Sequence, residues 1–512
     1  ISDFAINLGI NVPTGKDSLS MKQKYKDGDV ISPGTVIISA AGNCDDITKV
    51  VEPVLQKNGG AIYYLNLSKD SYKLGGSSFG QILNSIGTEA PTVTDDSYFK
   101  IVFNAIQTLV KTGQIVAGHD VASGGLITTL LELCFADVAL GAELNLSSLE
   151  EEDTIKLLFS ENAGIVFQVH SDSYLELENY LSALNIDFKK IGKVVSKPTL
   201  TVKNNGMEMG LNVSSLRDKW FRTSYLLDDK QTSNGLAKDR FENYKEQPLR
   251  YTFPKNFTGS APFGSAQGTR VSVTERSRNP QSEGRPKAAI LREKGSNSER
   301  EMANAMYLAG FDVKDVHMTD IISGRENLED IQFLGAVGGF SNSDVLGSAK
   351  GWAGAIKYNE KANTVIKNFF ARHDTLSVGI CNGCQLFMEL DLINPEHEMH
   401  GKMTYNDSHK HESNFTSVKI QENNSVMLSS LAGTTLGVWI SHGEGKFSLP
   451  LSEENYDIVA KYGYEGYPAN PNGSDYNTAM LCDVTGRHLV TMPHFERSTF
   501  PWNWAHYPAD RN

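Results

Sequence analysis

Cysteine is scarce in this chain, with Cys44, Cys134, Cys381, Cys384 and Cys482 the five copies in 512 residues. That density cannot build a disulfide framework, which excludes a small cystine-stapled exported domain and leaves the cytoplasm as the expected compartment. Long apolar runs are missing as well. No stretch approaches the ~18 consecutive apolar residues that a membrane-spanning helix needs, and no signal-like pattern opens the sequence. Positive charge is the third shortage: 48 Lys and Arg stand against 61 Asp and Glu, a formal net charge of -13. Nucleic acid and anionic membranes would repel such a chain at long range, so any phosphate-bearing ligand has to be held by local groups.

What is present is ordinary globular material, 40% hydrophobic and 21% charged, enough for a buried core in each of two or three domains. The chain enters patterned sequence directly at Ile1, and a piece of a longer polypeptide is the expectation. TVIISAAG from Thr35 and AIYYLNL from Ala61 read as buried strands. FKIVFNAIQTLVKTG, from Phe99 to Gly113, has apolar residues three and four apart and stops at a glycine, as a helix does. IVAGHD then reads as strand, LITTLLELCFA after Gly125 as helix and GIVFQVH from Gly164 as strand. The expected fold class is therefore α/β throughout. Residues 1–50 are a remnant of one domain, 51–215 a mixed α/β domain and 216–286 a linker rich in Gly, Ser, Pro and Arg. From residue 287 to 512, strands alternate with helices (AAIL, SEREMANAMYLAG, FDVKDVHM, FLGAV, KANTVIKNFFARH, TLSVGI), the signature of a doubly wound sheet that places ligands at the carboxyl ends of its strands.

GICNGCQLF sets Cys381 between a strand ending at Ile380 and a helix near Gln385, with Gly379 and Gly383 flanking the turn. Small residues there let the backbone turn sharply and expose the side chain, and a helix N-terminus favours thiolate. In isolation the same residues read equally well as a buried free cysteine. A metal site built on Cys381 and Cys384 lacks a second ligand pair at suitable spacing. Downstream, TMPHFERSTF places His494 and Glu496 two apart, facing the same way on an extended segment, so that an imidazole takes the thiol proton while the carboxylate holds the ring. At the tip of the strand in GHDVASGGL, Asp120 is a carboxylate beside Gly124 and Gly125, which open a helix whose N–H groups could face phosphate. By itself Asp120 also reads as a cap or turn carboxylate.

GICNGCQ and PHFER resemble the class I glutamine amidotransferase signatures. The resemblance implies a glutaminase in which glutamine acylates Cys381 as a γ-glutamyl thioester and releases ammonia, with His494 and Glu496 completing a triad. VGGFSNSDVLGSAKGWA resembles that family's oxyanion-hole segment, with Gly339 and Phe340 the backbone positions concerned, although SNSD stands where the family has Ser-Tyr-Gly-Asp. VPTGKDSLSMK, GHDVASGGL, SHGEGKF and PHFERSTFPWNWAHYP, in this order, resemble purine-biosynthetic amidotransferases that act on formylglycinamide ribonucleotide. That wider resemblance implies an aminoimidazole ribonucleotide synthetase-like module ahead of the glutaminase and a missing N-terminal part of the same polypeptide. It further implies ATP and Mg2+, with Lys16, Asp17, Gly124 and Gly125 on the nucleotide phosphates and Asp120 on the metal. Ala122 and Ser123 depart from the family's usual Ser and Asp. The alternatives are a glutaminase serving another acceptor and a silent binding or regulatory module.

Overall fold

The computed structural model describes residues 1–15, 21–32, 36–46, 49–246, 249–254 and 285–508. They divide into two compact units, Ile1–Thr223 and Ser224–Asn512.

The first unit is organised by Ala61–Asn66, a central strand of a seven-stranded sheet. The strand order is Ile115–Asp120, Gly164–Val169, Ala61–Asn66, Lys189–Val195, Gly141–Asn145, Thr199–Asn204 and Met207–Asn212. All neighbours are antiparallel except Gly141–Asn145 with Thr199–Asn204. The uninterrupted apolar run of Ala61–Asn66 has a direct cause, because both of its faces are covered. Ala61, Tyr63 and Leu65 pack with Val102 and Leu109, while Ile62 and Tyr64 pack with Leu126, Leu130 and Leu133. Val102 and Leu109 lie on helix Asp96–Lys111, which buries Tyr98, Val102, Ala105, Ile106 and Leu109. Its N-cap, Asp95, accepts the Tyr98 N–H at 2.9 Å, and Asp96 and Lys111 complement the helix dipole at its two ends. Two faces, each under its own helices, give the mixed α/β unit expected from the sequence.

The strand expected at TVIISAAG is absent. Val36–Ala40 is irregular and exposed, with Ile37 85% accessible, and Thr35 lies outside the described residues. An apolar run becomes a strand only when a neighbour accepts its ladder hydrogen bonds. The described part of 1–50 pairs only Lys22–Tyr25 with Gly28–Ile31.

In the second unit a nine-stranded sheet runs Asp312–His317, Lys287–Arg292, Phe333–Ala336, Leu376–Ile380, His488–Thr491, Thr478–Cys482, Asp457–Tyr462, Glu412–Ile420 and Thr435–His442. The first five are parallel, and helices Glu299–Leu308, Met318–Ser323, Lys350–Lys357, Glu360–Ala371 and Asn382–Glu389 lie between them in sequence. This is the expected doubly wound sheet, here extended by four antiparallel strands that the helix-strand alternation gave no reason to expect. Ala288, Ala289, Ile290 and Leu291 are all buried, as a parallel strand covered on both faces requires. Within the expected linker, helix Val213–Asp228 continues past residue 216 and Leu236–Asn243 forms a further helix; residues 255–284 lie outside the described set. The domain boundaries stand as our proposal.

Candidate active site

Strand Leu376–Ile380 ends on Cys381, whose φ of 51° and ψ of -105° reverse the chain into helix Asn382–Glu389. A side-chain-bearing residue held at positive φ costs about 1–3 kcal/mol and persists only where its surroundings fix it. Those surroundings are the flanking glycines. A Cβ on Gly383 would sit 2.1 Å from the Ala336 carbonyl oxygen, and one on Gly379 would sit 2.5 Å from the Gly383 oxygen. The Cys381 N–H donates to the Thr491 carbonyl at 2.8 Å, and its own carbonyl accepts from Gln385 N–H at 3.0 Å. Pinned on both sides, the thiol points to the Ser441 carbonyl oxygen at 3.6 Å. Cys384 is wholly buried in the core, and burial, with Cys381 nearby, pushes its thiol well above the ordinary range.

His494 and Glu496 meet across a 2.7 Å hydrogen bond between Nδ1 and Oε1. They do so on a tight turn: His494 caps the short 3-10 helix Phe495–Arg497, so the extended segment expected here is replaced by a curled one that still aligns the two side chains. The His494 N–H is anchored to the Trp439 carbonyl at 2.8 Å. Burial works against charge on His494, yet the Cys381 sulfur and the Glu496 carboxylate beside it push the imidazole up to about 10. The thiol and the ring share one cleft, also lined by Asn297, Gly339, Asp344 and Arg497. Gly338 lies against both: a Cβ there would be 2.8 Å from His494 Cε1 and 3.4 Å from Cys381 Cβ.

The expected oxyanion segment borders the same cleft, where Gly339 adopts φ 115°. Phe340 N–H, however, donates to the Gly295 carbonyl at 2.9 Å. It can serve an oxyanion only after that bond is exchanged. Ser341 N–H contacts Asn382 Oδ1 at 3.3 Å and so ties this loop to the elbow.

The nucleotide and metal positions are less well assembled. Lys16 and Asp17 lie outside the described residues. Gly124 N–H donates to Glu161 Oε1 at 2.8 Å, and Gly125 N–H donates to the Ala122 carbonyl at 3.0 Å. The same Glu161 oxygen accepts from Ser78 N–H at 2.8 Å, so a carboxylate of the chain itself sits where a phosphate oxygen was expected. The Asp120 side chain is 74% exposed and contacts His119, whose other ring nitrogen meets Glu132 at 3.0 Å. Among the described residues no group of three or more His, Cys, Asp or Glu is arranged to hold a metal ion. Asp120 and these glycine N–H groups would need further ligands to hold a magnesium nucleotide.

Sequence reasoning missed Asn297, Asp344, Gln385, His442 and Arg497 as cleft residues. Four of them fall inside the recognised motifs. Asn297 carries no signal, because only the bridge between Ser296 and Gly339 brings it to the site.

Comparison with known proteins bears on both units. The CobB/CobQ-like glutamine amidotransferase domain family matches residues 285–512, the C-terminal domain of AIR synthase related proteins matches 58–204, and the FGAR-AT PurM_N-like domain matches 1–43. A probable chloroplastic/mitochondrial phosphoribosylformylglycinamidine synthase of Arabidopsis thaliana is 36% identical over 99% of this chain and 36% of its own length. The phosphoribosylformylglycinamidine synthases of Dictyostelium discoideum and Homo sapiens are each 35% identical, over 99% and 98% of this chain and 40% and 39% of theirs. Along nearly its whole length the chain is similar to phosphoribosylformylglycinamidine synthases. It spans between 36% and 40% of the length of these relatives. Among solved structures, Thermotoga maritima PurLQS is 24% identical over 43% of this chain and 92% of that one, with a TM-score of 0.36.

Proposed function

We propose that the second unit hydrolyses glutamine and that the ammonia serves the ATP-driven conversion of formylglycinamide ribonucleotide to its amidine in purine biosynthesis. The observation that carries the reading is the buried His494–Glu496 hydrogen bond in the cleft of a thiol fixed at a strained strand-to-helix turn. Cys381 attacks the side-chain carboxamide carbon of glutamine, His494 holds the thiol proton and delivers it to the departing ammonia, and Glu496 keeps the ring oriented. Water then enters by the reverse proton path, breaking the γ-glutamyl thioester to glutamate and restoring the thiol. The tetrahedral anion in each step takes hydrogen bonds from the loop at Gly339 and Phe340 once the Phe340 amide leaves Gly295. Ammonia is protonated in water near pH 7, so a closed path to the acceptor fits this chemistry.

For the acceptor half, the similarity to phosphoribosylformylglycinamidine synthases supports ATP and formylglycinamide ribonucleotide as substrates. Mg2+ with Asp120, and phosphate contacts at Lys16, Asp17, Gly124 and Gly125, remain part of the proposal; Asp120 would need partners beyond those beside it here. We retain the cytoplasm as the compartment. No helix among the described residues is long and apolar enough to cross a membrane, while the Arabidopsis relative carries an organellar name.

The test is glutamate release from glutamine by the purified chain, followed by an assay for amidine from formylglycinamide ribonucleotide, ATP and either glutamine or ammonium. Absence of glutamate release with Cys381 accessible to alkylation would overturn the glutaminase. Glutamate release in a preparation of the longer polypeptide that makes no amidine from either nitrogen source would assign the glutaminase to another acceptor.

A further inference from the structure

The acyl-transfer chemistry uses a thiol, an imidazole and a carboxylate, and leaves two charged groups of the same cleft unexplained. Asp344 Oδ1 is buried without a hydrogen-bond partner, and so is Arg497 Nε. Both residues line the cleft with Cys381 and His494. A buried carboxylate oxygen with nothing to accept is costly, and a ligand that donates to it removes that cost.

Asp344 is also crowded by like charge. Its Oδ2 accepts from Ser348 Oγ at 3.1 Å, while Ser348 N–H faces both oxygens of Glu444 at 3.3 Å. Burial, then the Glu444 carboxylate, pushes the Asp344 carboxyl above the ordinary range. A cation arriving between two acids relieves both penalties at once. His442 on the cleft wall cannot supply it, since burial together with the neighbouring imidazoles lowers that ring to about 3 and keeps it neutral. Arg497, the residue after Glu496, is held by an Nη2 bond to Asn297 Oδ1 at 3.0 Å, and Asn297 N–H is in turn bonded to the Gly338 carbonyl at 2.8 Å. Its guanidinium is thus fixed to the loop beside the thiol; Nε lies 3.9 Å from both Glu301 Oε1 and Glu496 Oε1, too far for a hydrogen bond, and the five-donor fork exceeds what these contacts use.

We propose that Asp344 and Arg497 select the α-amino acid end of the substrate, Asp344 taking the α-ammonium and Arg497 the α-carboxylate, while the carboxamide reaches Cys381. This rests on the glutaminase reading above and supplies its specificity: a zwitterion is recognised at one end and a neutral amide is delivered at the other.

The experiment compares the full chain with Asp344→Asn and Arg497→Met, using three amides. Glutamine carries both charges, glutaramate lacks the ammonium and 4-aminobutanamide lacks the carboxylate. Loss of one charged contact should raise KM for glutamine roughly 10- to 100-fold with kcat nearly unchanged. Asp344→Asn should erase the preference for glutamine over glutaramate, and Arg497→Met the preference over 4-aminobutanamide. Iodoacetamide, which has no amino acid end, should alkylate Cys381 at the same rate in all three proteins and so reports an intact elbow. Protection of Cys381 from iodoacetamide by glutamine measures binding without turnover. If the parent chain is protected but makes no glutamate, the glutaminase reading fails, whereas weaker protection in the variants still supports the recognition pair. Unchanged protection and unchanged amide preference in both variants would overturn the pair whatever the turnover.

Discussion

Each unit of this protein carries a strand that ends at a glycine-bearing turn and passes straight into a helix, and the two turns have opposite fates. In the first unit, Ile115–Asp120 leads through Gly124 into Gly125–Phe135, and Glu161 closes the turn by accepting from Gly124 and Ser78. In the second, Leu376–Ile380 leads through Cys381 into Asn382–Glu389, and the thiol is left facing a cleft that His494 also lines. The same local grammar yields a satisfied structural joint in one place and a reactive group in the other. What separates them is whether a side chain from elsewhere in the fold arrives to fill the position.

The sharpest way to break the comparison is to remove the reactive atom. We expect Cys381→Ala to lower glutamine hydrolysis by roughly four to six orders of magnitude, measured as glutamate release, because the covalent route is gone. Cys384→Ala should keep most of the activity, since that sulfur is buried core. Equal loss in both variants would remove the distinction between the cleft-facing turn and its support. A gentler probe is Gly338→Ala. Its methyl would press on His494 Cε1 at 2.8 Å, and a displacement near 1 Å at a reacting group costs about 100-fold in rate, so a fully active variant would show that His494 does not need its present position.

The third test is acid stability, and its sign follows from His442. The folded ring is lowered to about 3, chiefly by burial, while the unfolded one titrates near ~6.5. Below that value the unfolded chain takes up a proton that the native state refuses. Stability of the second unit is therefore full above about pH 6.5 and falls as the pH drops toward 3, by ~1.4 kcal/mol for each unit of pKa difference. His442→Gln should flatten this part of the pH profile in urea melts. An unchanged profile would mean that other groups control the acid limb. The smallest effect is expected at the closed turn, where Glu161→Ala leaves the Gly124 and Ser78 N–H groups without their acceptor. A loss of about 1–3 kcal/mol in the denaturation transition of the first unit, with glutaminase rate unaltered, is the expected outcome. An unshifted first-unit transition would show that water replaces the carboxylate at no cost.

How much of this was legible beforehand varies by residue. The elbow was readable because Gly379 and Gly383 flank Cys381 within one motif, and the apolar periods of Asp96–Lys111 and Ala61–Asn66 were readable because the surfaces they bury repeat along the chain. The strand reading of Val36–Ala40 failed for the complementary reason: its composition is that of a strand, but no ladder partner reaches it among the described residues. The turn at Gly124 looked open from sequence, since nothing in GHDVASGGL announces that Glu161 will reach back across 37 positions to occupy it. Asn297 and the engaged Phe340 amide were equally silent, both being set by the pairing of two loops distant in sequence.

By itself the sequence determined the local devices of this protein: the glycines that let Cys381 turn, the His-x-Glu pair that a short curl brings together, and the alternation that makes a parallel sheet. Those properties depend on a few consecutive residues and on backbone sterics. Only the tertiary structure decided which donors stay free and which are spent, which buried charges lack partners, and which of two similar turns keeps an open cleft. Hydrogen-bond satisfaction and burial are settled by groups that are neighbours in space, and no window along the chain contains them together.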